Sequence, residues 1–298
     1  MKIAVCTIST KSHLFKSRAL LKSVSLYSSA SIFCLITDGN EHVGEQEMIH
    51  YDTLETLQSE TAIKIKKKYK GDSLRWALKP IYLKHLLLQD FDAVIYCDND
   101  IYFYNSLDFI FDDLTENSFI ITPHFYKANP LKEQNWLEAN FRVGLYNAGF
   151  IGANLNGIEI LDWWANCCLY NIKKSYWRGL YDDQKYLDLI PILFENVKIL
   201  KHRGCNVAGW NQEGTFVEKE KNGTKINGDL LVFIHFAALS MEMFSNHKNP
   251  LHDEWKQYIE ALKKEKNDFE YINNKFQKNT MSAYFYYLRW LIVRKLET

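Results

Sequence analysis

Residues 93–103 read AVIYCDNDIYF, and the fold turns on how that stretch is read. Ala93–Cys97 suits a strand buried on both faces. It runs straight into two carboxylates, Asp98 and Asp100, separated only by Asn99, before apolar and aromatic residues resume. An unpaired carboxylate at the end of an interior strand is costly, so a positive partner is expected there.

Outward from this strand the first half of the chain alternates. Lys2–Ile8 is a short apolar strand, Ser17–Ser28 carries apolar residues at helical spacing, and Ser31–Thr37 (SIFCLIT) is a second strand ending at the turn Asp38-Gly39-Asn40. A polar, lysine-rich stretch ending in KIKKKYKGDS follows, then a helix from about Leu74 to Gln89 that leads into Ala93–Cys97. This alternation predicts an α/β fold with a mostly parallel central sheet covered on both faces. Ligands of such sheets bind outside the carboxyl ends of the strands, so Asp38 and the Asp98/Asp100 pair are expected on one rim. The second half is less regular. Ser118–Thr122 and Ala148–Ala153 resemble short strands, Asp162–Asn171 and Asp182–Leu189 read as helical, and Leu230–His235 (LLVFIH) reads as a further strand. Without a repeat or a linker rich in glycine, proline and serine, the organisation expected is one domain over residues 1–245 and a helical C-terminal extension over 246–298.

Composition narrows the function classes. With 47% hydrophobic and 24% charged residues the chain is an ordinary globular one. Its 36 basic residues balance 36 acidic ones, so no overall field points to nucleic acid. None of the six cysteines has zinc-knuckle spacing, and Cys6, Cys34 and Cys97 fall inside strands, where thiols act as small buried hydrophobes. Structural thiols in a reducing compartment are expected. MKIAVCTIST is too short an apolar run for a secretion signal, and no stretch reaches the ~20 apolar residues of a spanning helix. A cytoplasmic protein is expected.

Residues i and i+2 of a strand face the same way, about 6–7 Å apart. Asp98 and Asp100 can thus share one divalent cation, leaving its other positions to water or phosphate oxygens, as suits Mg²⁺ or Mn²⁺ on a diphosphate. Alone, the motif reads more simply as a solvated turn. It has company: NAGFIGANLNG from Asn147, YDDQKYLDLIPILF from Tyr181, ILKHRGCNVAGWN from Ile199 and NGDLLVFIHFA from Asn227.

An acidic D-x-D after a strand, an NAG segment, a DQ pair opening a helix and a late apolar strand ending in His, in that order, resemble the GT-A glycosyltransferases. The resemblance is closest to the glycogenin-like and lipopolysaccharide galactosyltransferase-like group and to related bacterial polysaccharide enzymes, and covers about residues 1–240. It implies a Rossmann-like GT-A sheet with flanking helices, and transfer of a hexose from a nucleotide-diphosphate sugar, a UDP-sugar favoured, to a glycan or lipid-linked acceptor in surface polysaccharide synthesis. By position, Asp98, Asp100 and His235 would ligate Mn²⁺ or Mg²⁺ and Asn147 would face the donor sugar. Asp183 and Gln184 would lie beside the reacting carbon and the acceptor. Thr7, Ser9 and Asp38 would cradle the nucleotide base and ribose, although Asp38 is nearly as well explained as a turn residue.

The sequence departs from the family at two places. Lys185 stands where a second Asp follows DQ, and HFAALSM lacks the Gly and Lys that follow the late His. Arg75 or Lys79 is then the cation expected to hold the diphosphate. Two other readings remain: a sugar nucleotidyltransferase, which usually carries a glycine-rich basic loop missing here, and a non-catalytic nucleotide- or glycan-binding protein on the same fold. The segment YFYYLRWLIVRKLET, with Arg289, Arg294 and Lys295, either lies on an anionic membrane or packs on the domain or on a second copy in a homodimer.

Overall fold

The computed structural model describes residues 1–39, 48–212 and 214–266. In chain order the strands are β1 (Ile3–Ser9), β2 (Ser31–Ile36), β3 (Ile49–Thr53), β4 (Ala93–Cys97), β5 (Ile101–Phe103), β6 (Phe119–Pro123), β7 (Tyr146–Asn154), β8 (Val197–Ile199), β9 (Val217–Glu220), β10 (Gly223–Ile226), β11 (Asp229–Leu230) and β12 (Phe233–His235). The α-helices are α1 (Leu14–Ser25), α2 (Glu60–Lys68), α3 (Gly71–Leu87), α4 (Asp108–Glu116), α5 (Gln134–Arg142), α6 (Ile158–Tyr170), α7 (Ile190–Leu193), α8 (Ala238–Ser245) and α9 (His252–Glu265).

The central sheet has seven strands in the order β3-β2-β1-β4-β7-β6-β8. All neighbours pair in parallel except at β7, which runs antiparallel to both β4 and β6. This is the mostly parallel, Rossmann-like sheet of the expectation, with helices on both faces. The inner strands are buried along nearly their whole length because both faces are covered: alternate β1 residues Ala4, Cys6 and Ile8 enter one core and Val5 the other. The edge strands β3 and β8 are partly exposed. The reversal of β7 has a consequence for chemistry. It brings the start of β7 to the rim where β4 ends, with Cys97 opposite Phe150.

A second junction lies beyond β4. β5 leaves the acidic segment and pairs antiparallel with β12, setting His235 opposite Ile101. The run Leu230–His235 is therefore two short strands, β11 in a three-stranded sheet with β9 and β10, and β12 in a two-stranded one. The backbone turns away between them because Leu231 donates to Thr224 and Val232 donates to Gly204. Similarly Asp182–Leu189 is a 3₁₀ turn over Lys185–Leu189 followed by the four-residue α7.

The lysine-rich stretch before α3 folds as α2. Ser59 caps its N-terminus by accepting from the Ala62 N–H at 3.2 Å, Glu60 lies in the first turn, and Lys66, Lys67 and Lys68 lie in the last, complementing the helix dipole at both ends. α3 is wedged between the sheet, α2 and α6, so even its Lys79 is buried. Helix α9 packs onto α1, with Lys22 and Glu265 paired at 2.6 Å, and Tyr258 stacks on Phe236 at 4.1 Å. Residues 267–298, including the aromatic C-terminal segment, lie outside the described residues, as does Asn40. Among the described residues no helix is long and apolar enough to cross a membrane.

Phe150 of β7 and Phe233 of β12 are both fully buried and stack at 4.5 Å, joining the central sheet to the strand that carries His235. Phe150→Ala is expected to cost about 3–5 kcal/mol, read as a lower urea midpoint in equilibrium unfolding.

Candidate active site

Three segments meet at the carboxyl end of β4. Asp98 is fixed by its backbone, whose N–H donates to the Gly149 carbonyl at 2.7 Å. Its Oδ1 accepts from the Tyr96 hydroxyl at 2.7 Å and lies 3.2 Å from Lys79 Nζ. Asp100 Oδ1 lies 3.0 Å from His235 Nε2, and the Asp100 carbonyl accepts from the Phe236 N–H at 2.7 Å. One ligand atom each from Asp98, Asp100 and His235 lie within 4.8 Å of one another. Burial works to raise the Asp100 carboxyl, but His235 and Lys16 hold it well below the usual carboxylate range. Burial opposes charge on His235 in turn, yet Asp100 and Asp98 together raise its pKa.

The cluster encloses a small space kept open by the absence of a side chain. A Cβ on Gly149 would fall 2.6 Å from Asn147 Oδ1, 2.6 Å from His235 Cε1 and 2.9 Å from Asp98 Oδ2. His235 Nδ1 is buried with no hydrogen-bond partner. Two carboxylates and an imidazole around such a gap fit a hard or borderline divalent cation.

Lys79 sits at the centre of the remaining charges. Only 2% exposed, its ammonium donates to the Ala148 carbonyl at 3.1 Å and pairs with Asp98 and Asp183, each at 3.2 Å. One hydrogen bond and two ion pairs hold the ammonium, so it is committed to the protein and not turned toward a diphosphate. Burial lowers its pKa, but the two carboxylates outweigh this and raise it. Asp183 enters the site because Asp182 takes the left-handed conformation (φ +50°) and the Trp164 indole N–H donates to the Asp183 carbonyl at 2.9 Å. Burial pushes the Asp183 carboxyl up to about 6, against the pull of Lys79 and with Asp98 adding to the rise.

A buried polar relay flanks the cluster. Asn147 Oδ1 accepts from the Gly149 N–H at 2.7 Å, and its amide nitrogen lies 3.3 Å from His124 Nε2. His124 Nδ1 lies 3.0 Å from the Gly144 carbonyl, so the neutral ring donates at Nδ1 and accepts at Nε2. The His124 carbonyl accepts from Trp210 Nε1 at 3.1 Å and from Asn211 Nδ2 at 2.9 Å, and Trp210 packs edge-on against His235 at 5.2 Å. His124, Trp210 and Asn211 are not legible as site residues in the sequence, because a three-residue turn and a tryptophan carry no spacing signal.

Ile8, Arg75, Trp76, Tyr96, Asp98, Asn99 and Asp100 line a cleft of about 120 Å³ beside the cluster. Arg75 is the cation placed in it, steadied by Asp72. The Asn99 amide nitrogen is buried there without a partner. Thr7 is not brought to this cleft: it is fully buried, alternates with the cleft-lining Ile8, and so faces the opposite side of the sheet. Asp38 lies on the same rim, exposed, with its carboxylate accepting from the Lys11 N–H at 2.8 Å, a loop-closing role. Gln184 donates to the Val143 carbonyl at 3.4 Å and is half-buried. Lys185, at the position of the departure, pairs with Asp188 at 2.7 Å. All six cysteines are free, and burial raises the pKa of each thiol.

No family model matches the chain. Over 254 residues it is 30% identical to the Bacillus subtilis protein YfnF, an alignment covering 80% of this chain and 82% of YfnF. It is 25% identical over 247 residues to YfnD of the same organism, covering 79% and 77%. Both relatives are described as uncharacterised. Among solved structures it resembles the galactosyltransferase LgtC in complex with donor and acceptor sugar analogues, with TM-score 0.50 and 13% identity over 87% of this chain and 95% of LgtC. It also resembles the glycosyltransferase GlyE of Streptococcus pneumoniae (TM-score 0.52, 16% identity) and the bifunctional glycosyltransferase WbbM (TM-score 0.52, 12% identity). The chain is matched over 94% and 87% of its length but spans only 64% of GlyE and 49% of WbbM. These likenesses establish the GT-A fold.

His124 yields a pH prediction. Burial pulls its pKa down to about 3, with His235 adding to the fall, whereas the unfolded residue titrates near 6.5. Between those values the unfolded chain binds a proton that the folded one does not. The contribution of His124 is therefore complete above pH 6.5 and is lost as pH falls toward 3, at about 1.4 kcal/mol per pH unit. His124→Gln is expected to flatten the fall in urea midpoint between pH 6.5 and pH 4.5 relative to the wild type.

Proposed function

Because the chain belongs to the family of Bacillus subtilis YfnF and carries a GT-A sheet, we propose that it is a metal-dependent glycosyltransferase. It moves a hexose from a nucleotide-diphosphate sugar, a UDP-sugar favoured, to a hydroxyl of a glycan or lipid-linked acceptor in bacterial surface polysaccharide synthesis. The observation that carries this reading is the Asp98–Asp100–His235 cluster beside the Lys79–Asp183 pair on the carboxyl rim of that sheet.

Asp98, Asp100 and His235 would hold Mn²⁺ or Mg²⁺, which when bound supplies a Lewis acid for the charge that builds on the departing diphosphate. Arg75 and the unpartnered Asn99 amide, both lining the cleft, add N–H donors for phosphate oxygens. Lys79 holds the Asp183 carboxylate against Asp98, and this fixes where Asp183 meets the sugar. Buried and lifted to about 6, Asp183 suits hydrogen bonding to sugar hydroxyls next to the reacting carbon. Asn147, held by Gly149 and His124, takes the other side of the donor sugar, and Gln184 stands on the acceptor side. Asp38 remains the rim residue proposed for the ribose and base. Thr7 and Ser9 are not, because both are buried on the side of β1 opposite the cleft-lining Ile8.

Asp98→Ala and Asp100→Ala are each expected to lower nucleoside diphosphate release from a panel of UDP-sugars by roughly 10²–10³-fold and to remove Mn²⁺ binding in calorimetry, with the circular dichroism spectrum unchanged. Unaltered turnover in either variant would sink the assignment. Gly149→Ala keeps every ligand residue but puts a methyl group into the gap they enclose. It is expected to weaken Mn²⁺ binding as severely as loss of one carboxylate.

A further inference from the structure

Directly before Asp182 and Asp183 the chain projects a short closed loop. Ser175 and Leu180 exchange backbone hydrogen bonds at 2.9 and 3.0 Å, the Arg178 N–H donates to the Ser175 carbonyl at 3.0 Å, and Gly179 takes the left-handed conformation (φ +63°) that closes the turn. The loop holds Trp177 fully in solvent (102% exposed), beside Tyr176 at 57% and Tyr170 at 60%. An indole with no intramolecular cover is unusual, since Trp is among the most buried residues on average.

Cations surround these rings. Arg178 stacks on Tyr170 with its guanidinium 5.5 Å from the ring centre and also donates to the Tyr170 hydroxyl. Lys174 lies 4.4 Å from the Tyr181 ring and donates to its hydroxyl at 3.2 Å. Lys68, from the lysine-rich end of α2, donates to the Tyr170 carbonyl at 2.8 Å, and Lys173 is exposed at the start of the loop. The acidic group set against them is Asp182, paired with Lys174 at 3.3 Å.

We propose that this loop is a docking surface for an anionic lipid bilayer, with Trp177 seated at the level of the headgroups and Lys68, Lys173, Lys174 and Arg178 on the lipid phosphates. Trp and Tyr favour that interface because one part of the ring system is apolar and the other hydrogen-bonds. Neighbouring Lys and Arg add an attraction that a neutral sugar would not use. The loop is internally hydrogen-bonded, so it docks without having to order itself. It is a different stretch of sequence from residues 284–298, and the proposal is independent of the sugar-transfer reading.

Sedimentation of the full-length protein with vesicles, in the absence of donor and metal, tests the proposal. Wild type is expected to pellet with equal mixtures of phosphatidylcholine and phosphatidylglycerol, not with phosphatidylcholine alone, and to release in high salt. Trp177→Ala should lower the partition coefficient several-fold. Lys173→Glu with Arg178→Glu should lower it by about tenfold or more. Since all three side chains are exposed, the variants are expected to keep the wild-type Tm. Absence of vesicle binding by the intact chain, or binding that both variants leave unchanged, overturns the proposal. So does a Trp177→Ala enzyme that binds vesicles normally but shows a raised KM for a soluble acceptor glycan, a result that assigns the ring to sugar stacking.

Discussion

The ammonium of Lys79 is buried between the carboxylates of Asp98 and Asp183, at 3.2 Å from each, and donates to the Ala148 carbonyl. It comes from α3, and its partners come from the end of β4, the turn after α6 and the start of β7. Three elements of the rim are thereby tied to one helix through one charged group. Removing a single partner from such a buried arrangement typically costs about 3–5 kcal/mol, because the remaining charges stay buried without compensation. The position of Asp183 against the acidic motif is a property of this contact. Neither carboxylate would hold its place beside the other without the cation between them.

The same contact sets the charge of the site. With His235 neutral, the carboxylates of Asp98, Asp100 and Asp183 surround the buried ammonium of Lys79, with Lys16 and Arg75 the further cations acting on the site. A divalent cation would offset the negative charge gathered there. Asp100 raises the pKa of His235 against the cost of burial. A proton on the imidazole and a metal ion at the cluster are thus alternative answers to one electrostatic demand, and ligand binding by His requires the neutral ring. This is the physical answer to why two aspartates can end an interior strand.

The central strands and the acidic motif were legible in the sequence because their signals are local: buried apolar runs, a helix between them, and polar residues at the strand ends. Strand direction is not local. AGFIGA gives no sign that β7 runs backwards, yet that reversal is what delivers Asn147 and Gly149 to the rim. Nor does LLVFIH show that its last three residues leave to pair with β5, which is how His235 reaches Asp100. α2 was hidden because only Ala62 and Ile65 of its nine residues are buried, too narrow a stripe to stand out from a lysine run. The misplacement of Thr7 has the opposite cause. A strand-end position was legible, but which face it presents depends on a register only the sheet defines.

Lys185 and the HFAALSM segment, where the sequence departs from the glycosyltransferase pattern, looked like marks of a decayed site. Lys185 is instead paired with Asp188, whose other oxygen accepts from the Leu145 N–H at 2.8 Å. That carboxylate thereby steadies the loop at Gly144 and Leu145, which supplies the carbonyls that accept from His124. The substitution leaves no stray charge in the cleft and supports the relay to Asn147. After His235 the chain turns at once into α8, where Ser240 Oγ accepts from the Gly209 N–H at 2.9 Å, anchoring the segment that carries Trp210 over the imidazole. The segment where the family places a phosphate-binding lysine instead anchors the residues packed around His235, and Arg75 lines the cleft. Both departures have structural partners beside the site.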